Sequence, residues 1–267
     1  FFGEANIPLL SNAPFAQALN LDLAYRYSDY STSGGNSTYR AGFNWQPIDM
    51  FNVRVGYNRA VRAPNVSELF STQSLGLWSG ADPCATSTPS QTAAQCANSG
   101  VTAAQYGNIS ASPAGQYNGL FGGNPNLDPE VADTWTAGVV INPMDTMTIS
   151  VDWWQIEINE TISNIGATTI LDQCGTNGVL CENINRGPNG NLWQGTAGFI
   201  QDTTLNVGEN KWSGVDLAFN WATEGLGGTW TTNMIGTYML DRTITPLPAS
   251  PDSAYDCVGL ISTRCFP

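Results

Sequence analysis

Alternation of apolar and polar residues is the dominant pattern of this chain, and it is clearest in the segment 51–58. There the odd positions hold Phe, Val, Val and Tyr, and the even positions hold Asn, Arg, Gly and Asn. A period of two is typical of a β-strand, whose successive side chains point to opposite faces. Pro64 lacks a backbone N–H and disfavours helix at Ala63, so we expect this strand to stop there.

The same alternation recurs along the chain and predicts about eight strands. The other alternating segments are 2–8, 19–28, 38–45, 134–142, 147–158, 214–221 and 229–240, with 214–221 closing an extended stretch that starts near residue 198. Residues 8–17 are interpreted as a turn or a small excursion. The phase of the alternation changes at Trp153-Trp154, which indicates either a bulge or a strand that leaves its apolar surroundings.

Two kinds of connection join these strands. The short ones are QPIDM, NPMDT and ATEGLGG, and the long ones, without usable periodicity, cover about residues 62–130, 160–197 and 243–267. A helical turn from Ser163 or Asn164 to Leu171 is predicted in the second long connection. If the strands run antiparallel, all short turns lie at one end and all long loops at the other. Outer-membrane β-barrels sort their connections in this way, and soluble sandwiches have no reason to do so.

The two faces of the predicted strands also differ as a membrane barrel requires. One face is aliphatic in mid-strand and aromatic toward the strand ends, and the other holds mainly Gly, Asn, Thr, Ser, Asp and Arg, which suits a wet lumen. The aromatic residues at the strand ends are Tyr27, Trp45, Tyr57, Trp221 and Trp230. We therefore predict an all-β fold, an antiparallel up-and-down transmembrane β-barrel segment with long disulfide-containing external loops. The alternative is a soluble sandwich whose core these aromatic residues cap.

Composition and charge narrow the range of possible functions. Only 12% of the residues are charged, Lys211 is the single lysine, and the net charge is −13, with 9 basic and 22 acidic residues. Because phosphate binding needs clustered Lys and Arg, nucleic acid is excluded as a partner. The chain has no run of about 18 apolar residues, so no transmembrane helix is predicted. The chain opens directly in FFGEANIPLL, so we expect an internal fragment of a longer protein.

Six cysteines fall into three local pairs, each in a long connection. The pairs are Cys84 with Cys96, Cys174 with Cys181, and Cys257 with Cys265. Six cysteines permit fifteen pairings, and closure between nearest neighbours is favoured when strands isolate each pair. Disulfides indicate an oxidising, extracytoplasmic compartment. Zinc is the alternative, but the chain has no histidine and no C-x₂-C spacing.

Three groups of residues, taken together and in order, resemble the barrel of TonB-dependent outer-membrane receptors. They are RAPN with ELF at 62–70, GNPNLDPE at 123–130 leading into Asp133-Thr134-Trp135 and Gly138, and NVG at 206–208 with GVDL at 214–217. The resemblance covers essentially all of residues 1–267, which we assign to one partial barrel domain. It implies a 22-stranded barrel in the bacterial outer membrane, surrounded by lipid and filled by an N-terminal plug domain. It also implies import of a scarce nutrient with energy delivered by TonB, and we expect the plug and the C-terminal strands to lie outside this chain.

Enzymatic chemistry has little support in the sequence, and no cofactor is implied. The absence of histidine removes the usual nucleophile–base pairs. Asp152 with Glu157, or Glu157 with Glu160, would be the carboxylate pair of a glycosidase, but solvation by a lumen or loop explains these residues equally simply. The acidic turn NPNLDPE lacks the spaced ligands of a known calcium loop. We expect no catalytic residue and no metal site.

Two sets of residues are candidates for binding. Arg26, Arg40 and Arg54 share the polar face of three successive strands, so we expect a small basic patch that faces the lumen and the plug. Local pairing with Asp22 or Glu4 is the alternative. The five aromatic residues predicted to contact ligand are Trp78, Tyr106, Tyr117, Phe121 and Trp193. Their rings suit a sugar, a siderophore or another small nutrient, unless they pack the loops internally.

Two functions from different classes remain open. The favoured one is an outer-membrane active transporter that takes up a carbohydrate, a siderophore or a similar nutrient. The other is a secreted, soluble all-β adhesin or carbohydrate-binding module that is stabilised by disulfides. Behaviour during extraction separates them, because a membrane barrel needs detergent and a secreted module does not.

Overall fold

The computed structural model describes residues 1–225, 227–247, 253–262 and 265, most of them in β-strands. The strands are β1 (Phe2–Ala13), β2 (Ala16–Tyr30), β3 (Gly34–Ile48), β4 (Phe51–Arg62), β5 (Ser74–Ser79), β6 (Gln116–Phe121), β7 (Glu130–Met144), β8 (Met147–Asn159), β9 (Ile162–Ser163), β10 (Ile184–Asn185), β11 (Phe199–Gln201), β12 (Leu205–Asn206), β13 (Glu209–Gly225), β14 (Gly228–Thr245) and β15 (Tyr255–Asp256). The helices are α1 (Val66–Phe70), α2 (Ala93–Asn98) and α3 (Ala167–Asn177), followed by a 3₁₀ turn at Cys181–Asn183.

The chain forms two compact units. The first, which we call the sheet unit, consists of Phe1–Ala63, Asp128–Thr161 and Gly208–Pro267. The second, the insert unit, consists of Pro64–Leu127 and Ile162–Val207. The two inserted segments correspond to the first two long connections of the sequence.

One antiparallel sheet makes up the sheet unit, in the order β1-β2-β3-β4-β7-β8-β13-β14-β15. Chain order and spatial order agree, so the topology is up-and-down. Eight of the strands have at least 12 residues, and β15 has two. The strand β4 ends at Arg62, just before Pro64, because proline cannot donate to a ladder. The prediction of an all-β fold with about eight strands is confirmed.

Short and long connections lie at opposite ends of this sheet. Two residues separate β1 from β2, β3 from β4, β7 from β8, and β13 from β14. At the other end Arg62 pairs with Glu130 and Asn159 pairs with Glu209, so both inserted segments leave the sheet there. The last long strand, β14, also ends there, at Thr245 opposite Glu209. Apart from the three-residue turn at 31–33, which lies at the same end as the insertions, the connections are sorted by length as predicted.

The apolar face of the sheet is exposed. Leu21 pairs with Phe43 and Phe43 pairs with Val55, so their side chains form one row on this face. Phe43 is 49% exposed, Val55 44% and Leu217 50%. In a sandwich a second sheet would cover such a row at about 10 Å. A wide, exposed apolar face agrees with the lipid-facing wall of a barrel instead.

The hydrophobic core of the described chain lies in the insert unit. Ile170 of α3, Leu192 and Ile200 of β11 have no exposed surface. The same unit contains a four-stranded sheet in the order β10-β11-β6-β5, in which β11 and β6 run parallel. It also contains the two-stranded sheet β12-β9. No helix in the described residues is long and apolar enough to span a membrane.

Three local predictions in the strands and helices are correct only in part. The turn or excursion predicted for residues 8–17 is confined to residues 14 and 15, because β1 continues to Ala13 through a bulge between Pro8 and Leu10. Of the two interpretations of the phase change at Trp153-Trp154, the bulge is wrong, since β8 pairs without a shift on either side there. The helix predicted for 163–171 exists as α3, but it starts later, after Gly166, and continues to Asn177.

The insert unit contains structure in a region that shows no periodicity in the sequence. Each of its first two helices has a capping box, which is a local signal that the sequence does contain. In α1 the Asn65 side chain accepts from the Glu68 N–H at 2.9 Å, and the Glu68 carboxylate accepts from the Asn65 N–H at 2.8 Å. Thr92 and Gln95 do the same for α2. The predicted long loop is therefore a folded insertion.

Candidate functional site

The polar face of the sheet carries the charged side chains that the alternation predicts for a lumen. Arg26, Arg40 and Arg54 occupy even positions of β2, β3 and β4, and the partners of these strands in register place all three on the face opposite Phe43 and Val55. This shared face is the inner wall of the predicted barrel. We call it the polar wall.

Arg54 is paired with a carboxylate two strands away. Its Nε donates to Asp152 Oδ1 at 2.7 Å and its Nη2 donates to Asp152 Oδ2 at 2.6 Å, which is a bidentate arrangement. Gly138 of β7 lies between them, opposite both Arg54 and Asp152. A β-carbon at position 138 would overlap the Asp152 carboxylate, so the glycine makes this bridge across a strand possible.

Arg26 and Arg40 lie together near the end of the sheet that carries the insertions. Arg40 is opposite Ala24, two residues from Arg26 on the neighbouring strand, which makes the arginines diagonal neighbours. Arg54 is four residues along β4 from Asn58, the partner of Arg40, and thus about 13 Å away. The structure brings two of the three arginines together and separates Arg54 from them.

Shallow cavities flank Arg40 on the polar wall. One of about 450 Å³ includes Arg26, Arg40 and Asn58 in its lining, and another of about 380 Å³ includes Glu4, Asp22 and Arg40. Arg26 Nε donates to Ser28 Oγ at 3.1 Å. Within the described residues Arg40 has no side-chain partner, and the expected alternative of pairing with Asp22 or Glu4 is not seen. Asp22 instead accepts from the Asn6 amide at 2.5 Å.

Two further arginine–carboxylate pairs tie β4 to β7 at the same end of the sheet. Arg59 binds Asp133 through Nε at 2.9 Å and Nη2 at 2.7 Å, and Tyr57 also donates to this carboxylate. Arg62 binds Glu130 at 2.6 and 2.8 Å. Both pairs join residues directly opposite in the ladder, so they hold the strand ends at which the first insertion begins and ends.

Tyr117 and Trp78 of the predicted aromatic set pack on each other in the insert unit. They are opposite residues of β5 and β6, and their ring centroids are 5.1 Å apart with an angle of 26° between planes. Trp78 Nε1 donates to the Asn118 carbonyl at 3.1 Å. Tyr117 is only 2% exposed, so its ring is part of the interior of the insertion, whereas Trp78 is half-buried.

The other three predicted aromatic residues also make internal contacts. Tyr106 packs against the cluster around Cys84 and Cys96 and donates its hydroxyl to the Gln91 carbonyl at 3.0 Å. Trp193 Nε1 donates to the Ser110 carbonyl at 2.9 Å. Phe121 covers Gly119, where a β-carbon would lie 2.5 Å from Phe121 Cζ. The described contacts are those of the alternative in which these rings pack the loops.

Disulfides and one buried ion pair hold the insert unit together. Cys84–Cys96 and Cys174–Cys181 form within it, and Cys257–Cys265 forms in the sheet unit, which confirms the pairing between nearest neighbours. Arg186 binds Asp82 at 2.7 Å, and these side chains are only 4% and 1% exposed. The guanidinium also donates to Ser99 Oγ at 3.0 Å and to the Gly190 carbonyl at 2.8 Å. The buried charge is thereby fully paired, as burial requires.

Asp202 is a second buried carboxylate of the insert unit. It is 5% exposed and accepts from the Gly166 N–H at 3.1 Å, ahead of α3. Burial raises the pKa of Asp202 above its ordinary value, although hydrogen bonds from Gly166 and Ile165 oppose the shift. Asp202 thus binds the backbone N–H of Gly166, the residue that precedes the first turn of α3.

Asp152 and Glu157, one of the two candidate carboxylate pairs for catalysis, do not lie on the same face. Asp152 and Glu157 differ in parity along β8, so their side chains point to opposite faces of the sheet. Asp152 is already bound by Arg54. The described residues contain no group of three or more Cys, Asp or Glu side chains that could hold a metal ion.

Two tryptophans on the polar wall were not among the predicted site residues. Trp154 of β8 lies opposite Thr136 and Gly214, and Trp212 of β13 lies opposite Ile156. Since β8 has no bulge, both indoles are on the same face as Asp152. The phase change at Trp153-Trp154 was the sequence signal for them, because it moves apolar residues from the lipid face to the polar wall.

A search of protein families matches this chain to the family described as TonB dependent receptor-like, beta-barrel, over residues 1–261. No curated protein matches the sequence. Among solved structures, the siderophore receptor PirA from Acinetobacter baumannii is similar, with a TM-score of 0.56 and 17% identity over 91% of this chain and 29% of the receptor. PirA from Pseudomonas aeruginosa has a TM-score of 0.52 and 17% identity over 91% and 35%.

A mutant of the ferric enterobactin receptor PfeA from Pseudomonas aeruginosa, in complex with enterobactin, has a TM-score of 0.55 and 16% identity over 91% of this chain and 29% of that one. At such identities the likeness concerns the fold. The chain spans about a third of the length of these receptors. The family match covers nearly all of the chain, and the chain therefore belongs to the β-barrel part of the TonB-dependent receptors, which are proteins of the bacterial outer membrane.

Proposed function

We propose that the receptor containing this chain binds a scarce nutrient at the cell surface and imports it into the periplasm with energy from TonB. The observation that carries this proposal is the family match over residues 1–261. The structure supports it through a sheet with one apolar and one polar face and with long connections at one end. A nutrient class of carbohydrate or siderophore is proposed, the latter because the similar structures are named as siderophore receptors.

The apolar face is assigned to outer-membrane lipid and the polar wall to the lumen. Exposed apolar side chains such as Phe43 and Leu217 would otherwise face water, which is unfavourable by about 25 cal/mol per Å². On the polar wall, Arg26 and Arg40 are proposed to contact a plug domain, because paired acidic groups would satisfy guanidinium groups that lack a carboxylate partner in the described residues. The plug would also carry the contact with TonB.

Ligand contacts in the insert unit are proposed at Trp78, Tyr106, Phe121 and Trp193, each of which keeps part of its surface exposed. Tyr117 is proposed to act indirectly, as the ring on which Trp78 stacks. Alanine substitution of a stacked aromatic ring removes a large, rigid contact surface. We therefore expect Trp78→Ala to weaken ligand binding more than substitution of an exposed serine in the same strand, such as Ser79→Ala.

Uptake by the native host tests the proposal. The full-length receptor gene and the tonB gene are deleted separately, and uptake of labelled nutrient is followed for panels of ferric siderophores and of oligosaccharides. Loss of uptake of one nutrient in both strains, with recovery when the receptor gene is returned, is the expected result. Uptake that persists without TonB, or recovery of the full-length protein in the soluble secreted fraction, would contradict it.

A further inference from the structure

Trp154 and Trp212 occupy neighbouring positions on the polar wall. Trp154 is opposite Gly214, two residues from Trp212, so the two indoles are diagonal neighbours on adjacent strands. Diagonal positions are about 7–8 Å apart, which is within reach of large side chains. Ile156, which is opposite Trp212, lies on the same face, and beyond it the wall holds small or polar residues such as Thr134, Thr136, Gly138 and Asp216.

Gly214 allows the Trp154 ring to lie close to the wall. A β-carbon at position 214 would be 2.7 Å from Trp154 Cζ2 and 3.0 Å from Cε2, closer than real contacts of this kind. The indole therefore lies against the backbone of β13 at Gly214. Both tryptophans keep part of their surface exposed. This arrangement suits stacking with a flat group.

Arg242 adds a positive charge beside this surface. It is directly opposite Trp212, because the bulge of β14 at Leu240 brings residue 242 into this register. Among the described residues Arg242 has no carboxylate within ion-pair distance. The nearest acidic residues of the polar wall are engaged elsewhere, since Asp152 is bound by Arg54 and Asp216 accepts from Thr237 Oγ1 at 2.7 Å.

The Trp212 indole N–H is a second unmatched donor. Its nitrogen is shielded from solvent and has no acceptor in the described structure. A buried donor without a partner is unfavourable by about 1–3 kcal/mol. Because this N–H is shielded, the oxygen acceptor of a ligand is assigned to the Arg242 guanidinium, for which an anionic oxygen is best.

We propose that Trp154, Trp212 and Arg242 form a binding site on the polar wall for a flat aromatic group that carries a carboxylate or similar anionic oxygen. The inference deepens the proposed nutrient receptor function and rests on it. The ring stacks on the indoles, and the oxygen is bound by the Arg242 guanidinium. A neutral sugar would use the indoles but would leave the charge of Arg242 unmatched.

Direct binding to the purified full-length receptor in detergent tests the site. The probes are naphthoate, its neutral counterpart naphthalenemethanol, and glucose, and their affinities are measured by equilibrium dialysis. We expect naphthoate to bind at least tenfold more tightly than naphthalenemethanol. Arg242→Ala lowers the affinity for naphthoate to that for the alcohol, Arg242→Lys retains part of the difference, and Trp212→Ala or Trp154→Ala weakens both aromatic probes.

Lys211→Ala is the matched control, since residue 211 is next to Trp212 in β13 but points to the opposite face. It leaves all affinities unchanged, and heat-dependent migration in gels verifies that every variant is a folded barrel. If the wild-type receptor binds naphthoate and naphthalenemethanol with equal affinity, the proposed site is refuted, and no variant is needed for this conclusion. Binding of glucose that depends on Trp212 while naphthoate does not bind overturns it as well. Because TonB-dependent uptake is measured separately, a receptor that imports its nutrient but fails these tests refutes only this site.

Discussion

Arg54 and Asp152 form a bidentate ion pair across an intervening strand, with N–O distances of 2.7 and 2.6 Å. Gly138 of that strand lies directly between them and has no side chain to separate them. Each of β4 and β8 is hydrogen-bonded to β7, so the ion pair adds a contact between strands that do not pair themselves. The ion pair thus connects β4 and β8 across β7 on the polar wall.

Removal of either Arg54 or Asp152 should lower stability slightly, and the loss should be smaller when the other residue is already absent. The Arg54 side chain is 52% exposed and that of Asp152 is 22% exposed, so solvent screens the pair. We expect Arg54→Ala and Asp152→Ala each to lower the free energy of unfolding, with a coupling energy of about 0.5–1 kcal/mol in the double-mutant cycle. Urea unfolding of the full-length receptor in detergent measures it, and additive effects would show that the pair contributes nothing.

Gly138→Ala should be more harmful than either of those changes. The added β-carbon would overlap the Asp152 carboxylate, so the ion pair has to move or break. The combination Gly138→Ala with Asp152→Ala removes the overlapping group and should regain most of the lost stability. Gly42→Ala is the matched control, because a β-carbon there meets only atoms at 3.5 Å or beyond. Equal unfolding midpoints for the Ala variants at 42 and 138 would contradict this role of Gly138.

The sheet unit was predictable because its strands have one apolar and one polar face. Alternation in 51–58 or 214–221 identifies the strand, and Pro64 marks its end. The bulge in β1 was not predictable in the same way, because it depends on the pairing of Pro8 with the neighbouring strand. The change of phase at Trp154 was visible in the sequence. Only the register with both neighbouring strands shows that the backbone stays regular there and that apolar side chains move onto the polar wall.

The strands of the insert unit were missed because the stability of this unit has other sources. Its strands β5 and β6 carry Gly76 and Gly119, over which Phe121 packs, so the pattern of apolar residues is interrupted. Its interior includes disulfides and a buried ion pair between residues 104 positions apart in sequence. Contacts of this kind leave no periodicity. Only the capping boxes at Asn65 and Thr92 are local enough to be recognised from sequence.

Asp82→Asn should destabilise the insert unit strongly. The change leaves the Arg186 guanidinium buried without its counter-charge, which typically lowers stability by about 3–5 kcal/mol. Limited proteolysis of the full-length receptor should show faster cleavage between residues 80 and 110. The double variant Asp82→Leu with Arg186→Met removes both charges and should be cleaved more slowly than the single variant. If Asp82→Asn is cleaved at the wild-type rate, the ion pair does not hold the insertion.

Asp202 should make the insert unit less stable as pH rises. Its pKa is raised in the folded state by burial, so between the unfolded and the folded pKa the folded chain binds more protons than the unfolded one. The free energy of unfolding therefore falls as pH increases from about 4 through the raised pKa, and is constant above it. Hydrogen exchange of the amides around Gly166 and α3, measured from pH 4 to 8 and corrected for intrinsic rates, reports this loss of protection.

Asp202→Asn isolates the titration from the hydrogen bond. The amide oxygen still accepts from the Gly166 N–H, while the side chain stays neutral at every pH, so protection of α3 should no longer vary with pH. Glu182→Gln, in the 3₁₀ turn that follows α3, removes a charge from the same unit at an exposed position and should keep the wild-type profile. A pH profile that persists in Asp202→Asn, or that disappears in Glu182→Gln, would assign the effect to a carboxylate other than Asp202.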